Sequence, residues 1–246
     1  MSFDERKFCE IYFNCWANAM QDGAVNKYNL TSKAWTAFHM EKILYPLAEN
    51  LMVRENNYKT RQCPEKESSS CPKNCDCMYE KSWAQEYYRV DLSLYYYPEN
   101  EIGWCPDFFI EHENEHFEID TNRTIKNKGW YGEFIKLLPL KCSDLGAKVI
   151  ISYDDFKNLT NKVDFLCKVL NSEDSICRQS ITDTPILIIL GPSNKTIKED
   201  SDVDFKIVLF TCKNGKWDCK CQTSVEMLGN SSIKGIFQRI HKEYKQ

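Results

Sequence analysis

Three short aliphatic runs in the second half of the chain constrain its fold most. They read AKVIISY at 147–153, TPILIILGP at 184–192 and DFKIVLFT at 204–211. Runs of this length, bounded by polar and turn residues, are typical of interior strands. NLTNKVDFLCKVL at 158–170 lies between the first two and has helical spacing. Strands that alternate with helices predict an α/β fold with a central mixed sheet flanked by helices.

Upstream of these runs, two segments predict a β-hairpin. In RVDLSLYYY at 89–97, apolar residues alternate with polar ones, so that Asp91 lies opposite the apolar face. After the turn residues PENEIG, CPDFFIEHEN at 105–114 predicts the second strand. Alternation along it places Glu111 and Glu113 on one face and His112 on the other. An antiparallel pairing would bring Asp91 to the face that carries Glu111.

Two further helices are predicted on either side of the hairpin. The first runs through 33–53, is capped by Thr31 or Ser32, and is kinked by Pro46. At about 100° per residue, Glu41 falls among its apolar side chains, where an ionised carboxylate requires a cation, hydrogen bonds or a raised pKa. The second helix, WYGEFIKLLPL at 130–140, carries Lys136 near the edge of its apolar face.

This order of elements resembles the core of the PD-(D/E)XK, or restriction-endonuclease-like, nuclease superfamily. The matching residues are Glu41 on a helix, Asp91 on a strand and Glu111 on the next strand, followed by a helix and the strand at 147–153. The resemblance implies one such domain over 1–246, with Mg²⁺ or Mn²⁺ held by Asp91 and Glu111. It implies phosphodiester hydrolysis with catalytic roles for Glu41, Asp91, Glu111, Glu113 and Lys136.

The chain departs from the family at Glu113, which occupies the position of the catalytic lysine. Lys136 is the natural substitute, although it also fits a solvated lysine paired with Glu133. Asp107, which shares a face with Glu111, is an alternative metal ligand to Asp91. Two functions therefore remain: a metal-dependent nuclease, or a catalytically silent nucleic-acid-binding or protein-binding regulatory domain that keeps the fold.

The charge of the chain limits how it could bind nucleic acid. A formal net charge of −4 removes any general attraction to phosphate, so that binding requires a local basic patch. Candidates are Arg123, Lys126 and Lys128 in the polar loop before the helix at 130–140. A second set on the predicted C-terminal helix comprises Lys234, Arg239, Lys242 and Lys245, and both sets are also ordinary surface positions. DNA is the expected partner ahead of RNA.

The cysteines raise a separate question of metal binding. Cys63, Cys71, Cys75 and Cys77 lie in a polar segment at about 54–82 that has the character of an inserted loop. Their thiolates could hold Zn²⁺ and order the loop, although a reduced loop or disulfides formed after purification are the favoured explanation. Thirteen cysteines, an odd count without an apolar leader, predict reduced thiols, a cytoplasmic location and no membrane partner. Cys212, Cys219 and Cys221 fit a hairpin with incidental cysteines.

Overall fold

A computed structural model describes residues 3–21, 32–53, 83–87, 90–95, 106–172, 181–192 and 204–228. The helices in these residues are α1 Glu5–Gln21, α2 Ser32–His39, α3 Tyr45–Val53, α4 Gly129–Leu137, α5 Leu159–Leu170 and α6 Ser224–Leu228. A π-helical turn, Met40–Leu44, joins α2 to α3. The strands are β1 Trp83–Tyr87, β2 Val90–Tyr95, β3 Pro106–Glu113, β4 Glu118–Ile119, β5 Ile125–Asn127, β6 Ala147–Asp154, β7 Ile186–Pro192, β8 Lys206–Lys213 and β9 Lys216–Thr223.

Seven of the described strands form one mixed sheet in the order β1-β2-β3-β6-β7-β8-β9. The central strands β3, β6 and β7 are parallel, because α4 and α5 cross over between them. Antiparallel pairs extend the sheet on both sides. The predicted α/β class with a mixed central sheet is confirmed, and the three aliphatic runs are β6, β7 and β8. The inserted loop at 54–82 and the predicted C-terminal helix lie outside the described residues.

Helical layers cover both faces of this sheet. On one face, α1 and the segment from α2 to α3 enclose a core that includes Tyr12, Trp16 and Phe38. On the other face, α4 and α5 bury Trp130 and Phe134 against the strands. The helix α1 was not predicted from the sequence. None of the helices in the described ranges is long and apolar enough to span a bilayer.

The prediction that Glu41 lies on the buried face of its helix is wrong. Glu41 is exposed, whereas Met40, Ile43 and Leu44 of the same π-helical turn are buried. The Tyr45 N–H donates to the Met40 carbonyl, five residues back, so this turn contains more residues than an α-helical turn. The wider turn lies directly before Pro46, which has no N–H to continue the α-helical pattern, and it shifts the buried stripe away from Glu41.

A buried ion pair fixes α4 and α5 against β6. Lys162 of α5 donates to both carboxylate oxygens of Asp154, at 2.7 and 2.8 Å, and the Trp130 indole N–H donates to Oδ2 at 3.0 Å. The side chains of Lys162 and Asp154 are 4% and 0% exposed. Removing one partner of such a pair typically costs about 3–5 kcal/mol, because the other charge is left buried alone. The position of α4, which carries Lys136, is thereby well defined.

Candidate active site

The hairpin β2–β3 brings Asp91 and Glu111 together. Leu92 pairs with Ile110, and continuing this antiparallel register by one residue places Asp91 opposite Glu111. The two carboxyl groups are close enough for each to affect the ionisation of the other. The backbone N–H of His112 donates to Oδ2 of Asp91 at 2.8 Å and holds that carboxylate against β3.

Lys136 of α4 reaches into this pair of acids. Its Nζ lies 2.5 Å from Oε1 of Glu111 and 2.5 Å from Oε2 of Glu133. The side chain of Glu111 is 3% exposed, whereas those of Lys136 and Glu133 are 32% and 22% exposed. Lys136 therefore extends from the protein surface to a buried carboxylate. Lys136 is therefore both a partner of Glu133 and a neighbour of Glu111. The sequence predicts Glu133 only as a surface partner of Lys136, since their spacing places both on one helix face.

Burial and mutual repulsion perturb the carboxyl groups of this cluster. Burial raises the pKa of Glu111 to about 8; the hydrogen bond from Lys136 opposes this, and the charges of Asp91 and Glu133 add to it. Burial also raises the pKa of Asp91, opposed by the His112 N–H and by Lys136. Ionising both acids together is thus unfavourable unless a positive charge lies beside them.

Glu113 lies at the rim of the cluster, at the end of β3. It is half-buried, and its Oε1 accepts a hydrogen bond from the Glu115 N–H at 2.9 Å. Its backbone carbonyl accepts a hydrogen bond from Ser152 Oγ at 2.6 Å, which anchors the strand end to β6. Burial raises the pKa of Glu113, the Glu115 N–H opposes that shift, and the charge of Glu133 adds to it.

The other two acids proposed from the sequence lie elsewhere. Asp107 is buried at the start of β3 and accepts a hydrogen bond from the Ser143 hydroxyl, so it ties β3 to the loop after α4. Of the two candidate aspartates, Asp91 is the one that lies opposite Glu111 and affects its ionisation. Glu41 belongs to the helical layer on the opposite sheet face.

That opposite face holds a pair of stacked histidines behind the acids. The rings of His39 and His112 stack with centroids 3.9 Å apart and an interplanar angle of 16°. Both are buried, and burial lowers the pKa of His112 to about 3 and that of His39 well below its ordinary value. Neutral rings therefore pack behind β3, on the face predicted for His112.

The candidate nucleic-acid-binding residues lie in the segment that connects β3 to α4. The segment predicted as a polar loop forms the short antiparallel hairpin β4–β5. Arg123, Lys126 and Lys128 are exposed, and Lys126 pairs with Asp120 at 3.2 Å. Gly129 ends this segment, with a φ of +37° and no room for a Cβ against the His116 backbone.

In the described part of the chain, no three His, Cys, Asp or Glu side chains are grouped as a ready-made metal site. The four cysteines proposed for Zn²⁺, Cys63, Cys71, Cys75 and Cys77, lie outside the described residues. A cation at Asp91 and Glu111 would therefore need other donors such as water or a substrate phosphate.

Comparison with known proteins adds no relative from which a function could be transferred. No protein-family model matches the chain, and no curated protein or solved structure is significantly similar to it. Any functional assignment therefore depends on the residues and geometry of the Asp91, Glu111, Glu133 and Lys136 cluster.

Proposed function

We propose that the protein is a metal-dependent nuclease-like enzyme that hydrolyses phosphodiester bonds in nucleic acid. The observation that carries the proposal is the contact of Lys136 Nζ with Glu111, 2.5 Å from its Oε1, next to Asp91. The ammonium group of Lys136 lies in one cluster with the carboxylates of Asp91 and Glu111, and the three residues come from α4, β2 and β3. This combination supplies both ligands for a metal ion and a positive group for the reacting phosphate.

A restriction-endonuclease-like core is part of the proposal, and the element order supports it. The helical segment from α2 to α3 precedes β2, which carries Asp91 and pairs with β3, which carries Glu111. The helix α4 then leads to β6, which lies parallel to β3. This order of helix, hairpin, helix and parallel strand resembles the core of the nuclease superfamily.

Asp91 and Glu111 would hold Mg²⁺ or Mn²⁺. Their carboxylate oxygens are the donors that such hard cations prefer, and Mg²⁺ usually takes only one or two carboxylates together with water and substrate phosphate. When bound, the ion would lower the pKa of a coordinated water and stabilise negative charge on the phosphate. The raised pKa of both acids fits this role, because a bound cation would relieve their repulsion.

Lys136 would act as a fixed positive charge. Burial alone lowers its pKa, but the hydrogen bonds and charges of Glu111 and Glu133 outweigh burial, and the net pKa is raised. The ammonium group therefore keeps its proton at neutral pH. It can donate hydrogen bonds to a phosphate oxygen or orient the attacking water, whereas it is poorly suited to remove a proton.

The nucleic-acid partner is proposed from the position of the β4–β5 hairpin. The segment that contains this hairpin begins after Glu113 at the end of β3 and ends where α4 begins. Arg123 and Lys128 are exposed in this segment, between the strand that carries Glu111 and the helix that carries Lys136. Phosphate contacts from such side chains are independent of sequence and sensitive to salt. DNA stays the first substrate to test, ahead of RNA.

We expect Mn²⁺ binding to depend on Asp91. Asp91→Asn should weaken the affinity at least about tenfold, because a neutral amide oxygen replaces a charged ligand. Isothermal titration calorimetry on the full chain measures the affinity, and Asp164→Asn, at an exposed position on α5, is the matched control. Equal affinities for the wild type and Asp91→Asn would remove Asp91 from the site.

A catalytically silent binding domain is the second candidate. The observation that favours it is Glu113, which adds a negative charge where the family has its catalytic lysine. In addition, Lys136 already contacts two carboxylates. A protein of this kind would bind Mn²⁺ and DNA without cleaving the DNA.

A further inference from the structure

A second chemically distinctive cluster lies where α5 packs on the β8–β9 hairpin. Cys167 on α5 and Cys219 on β9 pack against the same core where the helix meets the strand, and the two thiols are close enough for Cys219 to affect the ionisation of Cys167. Both side chains are half-buried and pack against the core formed by α4, α5 and the sheet. The two cysteines are far apart in sequence, so the tertiary fold brings them together.

Hydrogen bonds next to this pair fix the helix on the strand. The Asn171 side chain donates to the Trp217 carbonyl at 3.0 Å and accepts from the Trp217 N–H at 2.9 Å. Cys167 lies one helical turn before Asn171, and Cys219 lies two residues after Trp217 on the same face of β9. The proximity of the two cysteines is therefore a consequence of the docked interface, because Asn171 fixes the helix that carries Cys167 against the strand that carries Cys219.

Two more cysteines occur on the same hairpin. Cys212 is on β8, and Cys221 follows Cys219 by two residues and is exposed. The cysteines of the described residues nevertheless do not form a group of three that could bind a metal ion. Two neighbouring thiols, Cys167 and Cys219, are sufficient for a disulfide, so oxidation is the chemistry that this arrangement favours.

We propose that Cys167 and Cys219 are a dithiol pair that small-molecule disulfides, such as oxidised glutathione, convert to an intramolecular disulfide. The Cys219 thiolate attacks one sulfur of the small disulfide, its S–S bond breaks, and one small thiol leaves. Cys167 then loses its proton to water and attacks the Cys219 sulfur, so that the second small thiol leaves. The net reaction oxidises two protein thiols and reduces one disulfide to two thiols.

The electrostatics of the pair support this order of events. Burial and the neighbouring Cys219 raise the pKa of Cys167 to about 12, which makes it a poor first nucleophile. The contribution of Cys219 disappears once that sulfur is in a mixed disulfide. Cys167 is then easier to ionise and already lies beside the sulfur that it must attack.

The disulfide would tether α5 to β9. The helix α5 also carries Lys162, whose ion pair with Asp154 anchors it to β6. Closing a long loop restricts the unfolded chain, so oxidation should raise the midpoint of thermal unfolding.

Peptide mapping of the oxidised full chain tests the proposal. The reduced protein is incubated with oxidised glutathione, quenched in acid, alkylated and digested without reductant. We expect a cross-linked peptide pair that joins Cys167 to Cys219 and disappears on treatment with dithiothreitol. In Cys167→Ser, which cannot complete the second step, Cys219 should instead be recovered as a stable mixed disulfide with glutathione.

Cys221→Ser is the matched control, since it removes a more exposed thiol of the same strand and should leave the cross-link intact. The wild-type map requires no variant, so it remains decisive if Cys167→Ser does not fold. Failure to detect the Cys167–Cys219 link, or a dominant link from either cysteine to any other, would overturn the proposal.

Discussion

Replacing Glu111 by glutamine is expected to lower Mn²⁺-dependent cleavage by at least about 10³-fold while making the fold more stable at neutral pH. Cleavage falls because the variant loses a charged metal ligand. Stability rises because glutamine removes a buried carboxyl group whose pKa burial has raised to about 8. At about 1.4 kcal/mol per unit, a shift from 4.5 to about 8 limits the gain at pH 8 to about 5 kcal/mol, and loss of the contact with Lys136 makes the gain smaller.

The pH dependence of this gain has a definite sign. Because the pKa of Glu111 is raised on folding, the folded protein binds the proton more tightly than the unfolded chain. The stability that Glu111 contributes is complete below its unfolded value of 4.5 and is lost as the pH rises towards 8. The advantage of glutamine should therefore be small at pH 4.5, grow as the pH rises, and level off above about pH 8.

Denaturant unfolding in the presence of a chelator, at pH 4.5 and at pH 8, measures the stability gain and its pH dependence. Glu118→Gln, at an exposed position on β4, is the control and should change stability little at either pH. A Glu111→Gln protein that is less stable than the wild type at pH 8 would contradict the electrostatic account of the cluster.

Replacing Lys136 by methionine should separate catalysis from metal binding. Loss of a group that positions water or stabilises the reacting phosphate typically lowers the rate by about 10²–10⁴-fold. Mn²⁺ affinity should be unchanged or higher, because the variant removes a positive charge that lies 2.5 Å from Glu111.

Single-turnover cleavage and calorimetry of this variant give the two readouts. Lys168→Met, at an exposed position on α5, is the control for loss of a lysine from a helix surface. Wild-type cleavage rates in Lys136→Met would exclude Lys136 from the reaction. Loss of Mn²⁺ binding together with cleavage would instead indicate that Lys136 only maintains the structure of the site.

The strand pattern in the sequence was informative because alternation has a simple geometric meaning. Two residues that lie directly opposite each other on neighbouring antiparallel strands point to the same face of the sheet. An antiparallel pairing of the two predicted strands therefore places Asp91 and Glu111 together. The aliphatic runs were equally direct, since β6 and β7 are buried on both sides.

The helical contributions were harder to anticipate. The expected face of Glu41 assumed an uninterrupted α-helix, and the π-helical turn before Pro46 shifted the buried stripe. Glu133 and Lys136 lie on one helix face by spacing, but whether that face meets solvent or a carboxylate depends on how α4 crosses the sheet. The β4–β5 hairpin is too short and polar to give a periodic signal.

Cleavage of nucleic acid by the wild-type protein is the most direct measurement of the central claim. Labelled single-stranded and double-stranded DNA and RNA are incubated with the full chain in Mn²⁺ or Mg²⁺, and in chelator. We predict cleavage of at least one substrate with metal and none with chelator. Intact substrates in the presence of protein with bound Mn²⁺, or cleavage that persists in chelator, would contradict a metal-dependent nuclease site at Asp91, Glu111 and Lys136.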